Sequence, residues 1–254
     1  MSFLIDTHIH LDALELEGKG SVLLPAARSV GISRFVIPGV RVNGWPGMLM
    51  LAENYPDVFI APGLHPAYAD QWNLTAESQL TALLHGDKVV AIGEIGLDGA
   101  VGPALGEQEK VFRSQLEIAL AAKIPVLLHV RQATGRVLSI LREMQIGQKI
   151  GGIWHGFSGS FQVAQDLIDL GFKLGVGPIL LRDNARKLPE LVKTLPGSAF
   201  VLETDYPDMA ESPQSLLQVA QKVAELRDSS LEEAVRMTTQ NASWLFGFKE
   251  LFCE

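Results

Sequence analysis

Eight short runs of apolar and β-branched residues, with helix-like stretches between them, constrain this chain more than any other feature. They are Phe3–Thr7, Arg34–Pro38, Val58–Gly63, Val89–Glu94, Pro125–His129, Gly151–His155, Phe172–Val176 and Ala199–Asp205. Each is too short for a helix. Each is also continuous rather than alternating, so as a strand it is covered on both faces, the condition of a parallel sheet. The stretches between are amphipathic: in Glu107–Ala122, Val111, Leu116, Ile118, Ala119 and Leu120 are interleaved with Glu109, Lys110, Arg113 and Glu117. Eight strand-then-helix repeats in 254 residues predict a single-domain (β/α)8 TIM barrel over residues 1–254, its site at the C-terminal face of the strands. The segment 213–246 then supplies the last helices. No Pro/Ser-rich linker or block of like charge marks a boundary.

Composition narrows the chemistry. The single cysteine, Cys253, cannot pair within the chain, so neither a disulfide framework nor a cysteine zinc site is expected. No stretch of about 18 apolar residues and no basic leader is present, so a cytoplasmic chain without membrane contact is expected, and no obligate protein partner is evident. A net charge of -8 argues against broad attachment to nucleic acid. It leaves room for a local basic rim, for which Arg41, Arg131 and Arg182, each just beyond a strand end, are the candidates.

Five of the six histidines sit at strand ends, as do the carboxylates Glu94 and Asp205. Glu94 ends an apolar run between glycines and needs a cation, a proton or a strong donor as partner. His8 and His10 are two apart in an extended segment, so they point the same way and can grip one ion, with Asp6 behind them to orient a ligand. His129 and His155 follow apolar runs, and Arg131 trails His129 by two residues. Glu203 and Asp205 would repel unless a metal neutralises one of them; Asp205 suits that role, and Glu203, deeper in the strand, suits a hydrogen bond to a ligand. In a barrel these residues converge. Imidazole plus carboxylate without thiolate suits zinc, manganese or magnesium, and six ligands are too many for one tetrahedral catalytic site. Two divalent metal ions bridged by Glu94 account for the surplus, with His8, His10 and Asp205 on one side and His129 and His155 on the other. Ser158 or Ser160 can cap the helix that follows, whose free N–H groups form an anion site. Asp98–Gly106, rich in glycine, alanine and proline, is expected to be a mobile loop.

Asp6-Thr7-His8-Ile9-His10-Leu11-Asp12, Gly63-Leu64-His65-Pro66, Gly93-Glu94-Ile95-Gly96-Leu97-Asp98, Pro125 to Arg131, His155-Gly156-Phe157-Ser158-Gly159 and Glu203-Thr204-Asp205 resemble, in order, the motifs of the TatD family of metal-dependent deoxyribonucleases. The resemblance runs to Asn241-Ala242-Ser243-Trp244-Leu245-Phe246 and so covers essentially the whole chain. It implies a divalent-metal-dependent phosphodiesterase on DNA with these ligands, and that His65 helps to hold the phosphate; the residues themselves then suggest an exonuclease-like enzyme with Asp205 and Glu94 at the catalytic centre and Arg131 and Ser158 as further phosphate donors. The departures from the family pattern are Gly99-Ala100 after Gly-Leu-Asp, Gly156 in place of a usual cysteine, and Tyr206-Pro207-Asp208. They bear on substrate preference and remove no ligand. Two rival readings stay open at this point: amidohydrolase-type attack on a small amide, ester or lactone, and a metal-binding protein without turnover.

Overall fold

The computed structural model describes residues 3–12 and 20–248. Strands and helices alternate as the sequence predicts: β1 Leu4–Asp6, α1 Gly20–Ser29, β2 Ile32–Pro38, α2 Trp45–Asn54, β3 Val58–Ala61, α3 Leu74–Leu83, β4 Ile92–Asp98, α4 Leu105–Ala122, β5 Val126–Arg131, α5 Thr134–Glu143, α6 Ile146–Lys149, β6 Gly152–Trp154, α7 Phe161–Asp169, β7 Phe172–Val176, α8 Lys187–Thr194, β8 Phe200–Leu202, α9 Ser215–Leu226 and α10 Leu231–Phe246. Contacts group these into two compact units.

One unit contains the described residues up to Val36, Gly156–Ile168 and those from Lys173 onward. Its strands pair in parallel, β7 with β8 and β1 with β2. Leu174, Gly175 and Val176 pair with Phe200, Val201 and Leu202. Thr7 donates to the Leu202 carbonyl through both its N–H and its hydroxyl. Asp6 pairs with Phe35. α10 opens with a reciprocal Ser230–Glu233 capping box and ends on Gly247 at a positive φ of 67°, both strong helix boundaries. Its side chains tie the unit together: Thr239 donates to the Phe3 carbonyl, and Asn241 to the carbonyls of Gly197 and Phe200, so the entries to β1 and β8 hang on one helix.

The second unit holds Ile37–His155 and Asp169–Phe172. Here β4, β5 and β6 are parallel neighbours, with Gly96 opposite His129 and Leu128 opposite Trp154. Ile92, Ile95, Leu97, Leu127 and Leu128 are fully buried, as strands covered on both faces require.

Two strand ends differ most from expectation. β4 does not stop at Glu94 but runs on through Asp98. β8 stops at Leu202, which leaves Glu203–Asp205 beyond the strand with Asp205 at a φ of 49°. In both places the backbone turns to serve polar side chains, which an apolar pattern does not report.

Candidate metal centre

In the second unit the backbone closes up on glycines before it delivers its acid. A Cβ on Gly39 would lie 2.5 Å from the Gly63 nitrogen, one on Gly63 2.7 Å from the Gly93 carbonyl carbon, and one on Gly93 2.5 Å from the Leu127 Cβ. No side chain fits at any of the three. The Glu94 N–H donates to the Gly39 carbonyl at 2.9 Å, and the Gly93–Glu94 peptide is cis.

Glu94 Oε1 then lies 2.7 Å from His129 Nδ1, 2.7 Å from His155 Nε2 and 3.9 Å from His65 Nε2. The other nitrogen of His129, Nε2, is 3.0 Å from Asp98 Oδ2, while Asp98 Oδ1 accepts the Ala100 N–H. In the tautomer with its proton on Nε2, His129 donates to Asp98 and turns Nδ1 toward the Glu94 side. Burial would lower the His129 pKa, yet the nearby Glu94 carboxylate, helped by Asp98, keeps it above the ordinary histidine value. Burial likewise raises the Asp98 carboxyl, but the Ala100 N–H and His129 outweigh it and hold that carboxyl low.

His65 is fixed differently. Its Nδ1 accepts the Ala67 N–H at 3.1 Å, so in the neutral ring the proton sits on Nε2. Burial pushes its pKa down to about 4, which keeps the ring neutral near pH 7. A donor nitrogen aimed at the Glu94 side suits an anionic oxygen and not a metal.

α4 supports both of these positions with buried glutamines seven residues apart on one face. Gln115 accepts the Leu64 N–H at 2.7 Å and donates to the Leu64 carbonyl at 3.1 Å, gripping the residue before His65. Gln108 does the same to Asp98, at 2.8 and 2.9 Å, and also donates to the carbonyls of Val101 and Pro103. The Asp98–Gly106 loop, expected to be mobile, is thus tied from within. Gly102 has a φ of 85° and passes so near Ala67 that a Cβ there would come within 2.7 Å of its Cα.

In the first unit, His8 Nε2 and His10 Nε2 lie 3.4 and 3.3 Å from the same oxygen of Asp205, their rings edge to face with centroids 5.1 Å apart. The backbone interlocks around them: Asp205 N–H donates to the His8 carbonyl, and His10 N–H to that of Tyr206. Asp6 is fully buried and accepts the N–H groups of His8 and Thr204 and the Thr204 hydroxyl. It therefore fastens the two ligand-bearing segments through their backbone. Burial pushes its pKa up to about 7. Glu203 accepts the Gly156 N–H, and its carboxylate fills the space a side chain on Gly175 would take, 2.2 Å from that Cβ position. Of the two serines expected to cap α7, Ser160 does so, accepting the Val163 N–H at 3.3 Å, while Ser158 is exposed.

Each unit therefore gathers its own donors. Glu94, His129 and His155 bring their ligand atoms within 3.4 Å of one another, and His10, Asp205 and the exposed Asp208 bring theirs within 4.8 Å. Nitrogen and carboxylate oxygen together and mutually close fit a divalent ion of the zinc, manganese or magnesium type. Asp98, Gln108, Gln115 and Asp208 were not picked out from the sequence. For Asp98 a signal existed, since residues 94, 96 and 98 of a strand share one face. Arg41 and Arg131 are exposed, as a rim requires; Arg41 lies 4.2 Å over the Tyr68 ring and donates to its hydroxyl. Among the described residues no helix is long and apolar enough to cross a membrane.

Known proteins resemble this chain along nearly its whole length. A family model described as TatD related DNase matches residues 5–247. An uncharacterized metal-dependent hydrolase, YabD of Bacillus subtilis, is 33% identical over 96% of this chain and 98% of its own length. The 3'-5' ssDNA/RNA exonuclease TatD of Salmonella typhimurium is 29% identical over 96% of this chain and 98% of its own. The crystal structure of YjjV, a TatD homologue from Escherichia coli K12, superimposes with a TM-score of 0.90 at 32% identity, covering 97% of this chain and 98% of that one.

Proposed function

The chain belongs to the TatD related DNase family and is a metal-dependent hydrolase of (β/α)8-barrel fold, and from this starting point we propose that it acts as one domain that hydrolyses phosphodiester bonds of DNA in an exonuclease-like manner. One divalent ion is held by His8, His10 and Asp205 and another by Glu94, His129 and His155. That Glu94 serves both ions is the part of the proposal drawn from the sequence. An ion so held would lower the pKa of a bound water to about 7, enough for a nucleophile at neutral pH.

The protein's own groups do the rest. Asp205 takes the proton of the attacking water. His65, with Nδ1 already committed to Ala67, donates Nε2–H to a phosphate oxygen. Arg131 adds a donor to the same phosphate, Ser158 serves a neighbouring one, Glu203 and Asp6 hold the ligand-bearing backbone, and Asp98 sets the face that His129 presents. The observation that carries the reading is Glu94 Oε1 at 2.7 Å from both His129 Nδ1 and His155 Nε2, three donors closing on one point. The 3'-5' ssDNA/RNA exonuclease name of a relative covered over 98% of its length supports a single-stranded substrate. The test is to assay an oligonucleotide, a mononucleotide diester and an amide with one metal-loaded preparation, alongside His129→Ala and His155→Ala. Cleavage of the diesters, lost in both variants, is expected. Turnover of the amide alone would replace the reading by an amidohydrolase one, and no turnover at all would leave a binding protein.

A further inference from the structure

A pocket of about 300 Å³ in the first unit is lined by Ser158, Ile179, Arg182, Asn184, Arg186 and Lys187, among others. It joins two elements that the sequence keeps far apart: the turn before α7, which carries Ser158, and the segment from the end of β7 into the first turn of α8. Three cations on one small concavity are unusual in a chain of net charge -8. Among the described residues none of the three is paired with a carboxylate, and Asp183, in the same loop, does not line the pocket. Like charges crowded without a counter-charge repel, so such an arrangement persists for an anion that arrives from outside.

The pocket is also anchored to the ligand cluster of its own unit. Phe157 N–H donates to the Gly175 carbonyl and Gly156 N–H to Glu203, two residues before Asp205, so Ser158 stands on backbone fastened to a ligand-bearing segment. Guanidinium groups, a hydroxyl and an amide are the donors that recognise phosphate oxygens, often bidentately in the case of arginine.

We propose that the pocket formed by Ser158, Arg182, Asn184, Arg186 and Lys187 binds a backbone phosphate of the single-stranded substrate outside the bond being cleaved. This rests on the phosphodiesterase reading above and extends it: the enzyme holds its strand at a second phosphate through these side chains, which favours oligonucleotides over small diesters.

The test measures binding of a fluorescent phosphorothioate oligonucleotide, which resists cleavage, by anisotropy over a range of salt. Variants are Arg182→Ala, Arg186→Ala, their double substitution and Arg186→Lys, with Lys110→Ala on α4 as a control for charge alone; thermal unfolding confirms that each is folded. For single strands each phosphate contact contributes about 0.7 to the slope of log K against log salt. The double variant should lose about 1.4 in slope and bind at least tenfold more weakly, Arg186→Lys should keep most of the slope, and Lys110→Ala should match the wild type. The ratio of kcat/KM for the oligonucleotide to that for a chromogenic phosphodiester should fall at least tenfold in the double variant. Folded variants with wild-type slope and ratio would overturn the pocket assignment and leave the nuclease reading standing. A wild-type protein that neither binds nor cleaves the oligonucleotide would overturn that reading, and the pocket assignment with it.

Discussion

Replacing Gln108 by leucine should damage the centre from a residue that touches no ligand. Gln108 is fully buried, accepts the Asp98 N–H and donates to the Asp98, Val101 and Pro103 carbonyls at 2.7 to 3.1 Å. Leucine fits the volume but offers neither donor nor acceptor. A buried polar group left without its partner costs about 1–3 kcal/mol. Counting only the Asp98 N–H and one carbonyl, and allowing the loop carbonyls to reach water, the loss is about 3 kcal/mol. In a chain of this size that lowers the unfolding midpoint by about 6–12 °C. The second effect is functional. Asp98 shifts, its hold on His129 Nε2–H loosens, and metal affinity or turnover should fall about 10- to 100-fold, as when other groups that orient a ligand are removed. Gln108→Glu should do no better, because it keeps the acceptor for Asp98 but turns a second acceptor toward three carbonyls. Thermal unfolding followed by circular dichroism, together with titration of the stripped protein with zinc or manganese, reads both effects. A Gln108→Leu protein with wild-type midpoint and wild-type metal affinity would refute the reasoning.

Three further outcomes are expected. Asp98→Asn retains the volume but removes the carboxylate facing His129 Nε2, so metal affinity should drop about 10- to 100-fold with little loss of stability; equal affinity would show that the His129 ring is held by other contacts. Gly175→Ala places a methyl 2.2 Å from Glu203 Oε2 and must displace that carboxylate, so both stability and turnover should fall, whereas a neutral result in unfolding and kinetics would mean that Glu203 can relocate freely. Arg41→Ala should raise KM for an oligonucleotide several-fold by removing an exposed cation held over Tyr68, and an unchanged KM would take Arg41 out of the substrate path.

The strand-and-helix alternation was legible because a covered strand must be apolar along its whole length. Phe172–Val176 matches to the residue. Legibility failed where polar side chains set the backbone. The run at Val89–Glu94 says nothing of the polar continuation of β4 to Asp98, and Ala199–Asp205 hides the end of β8 behind two acids that face inward. The site shows the same division. Histidines and acids at the ends of apolar runs stood out, because such groups are costly there without partners. The supporting residues did not: on α4, Gln108 and Gln115 look like the polar half of an amphipathic helix, and only coordinates reveal that they are buried against the Asp98 and Leu64 backbone. Asp6 shows a subtler difference, since the sequence places it beside the ligands but cannot distinguish a bond to a ring from the bonds it makes to the backbone of His8 and to Thr204.

The most direct test of the central claim counts ions in Glu94→Gln. The substitution keeps shape and burial but replaces the anionic oxygen that lies 2.7 Å from both His129 and His155 by a neutral amide. Elemental analysis of protein purified without added metal should find two divalent ions per wild-type chain. In Glu94→Gln both should be lost or strongly depleted, with oligonucleotide hydrolysis barely measurable, while Glu203→Gln should keep its ions. Loss of one ion with the other retained would confine Glu94 to the His129–His155 site. A folded Glu94→Gln protein that holds two ions and turns over at a near-normal rate would contradict the account.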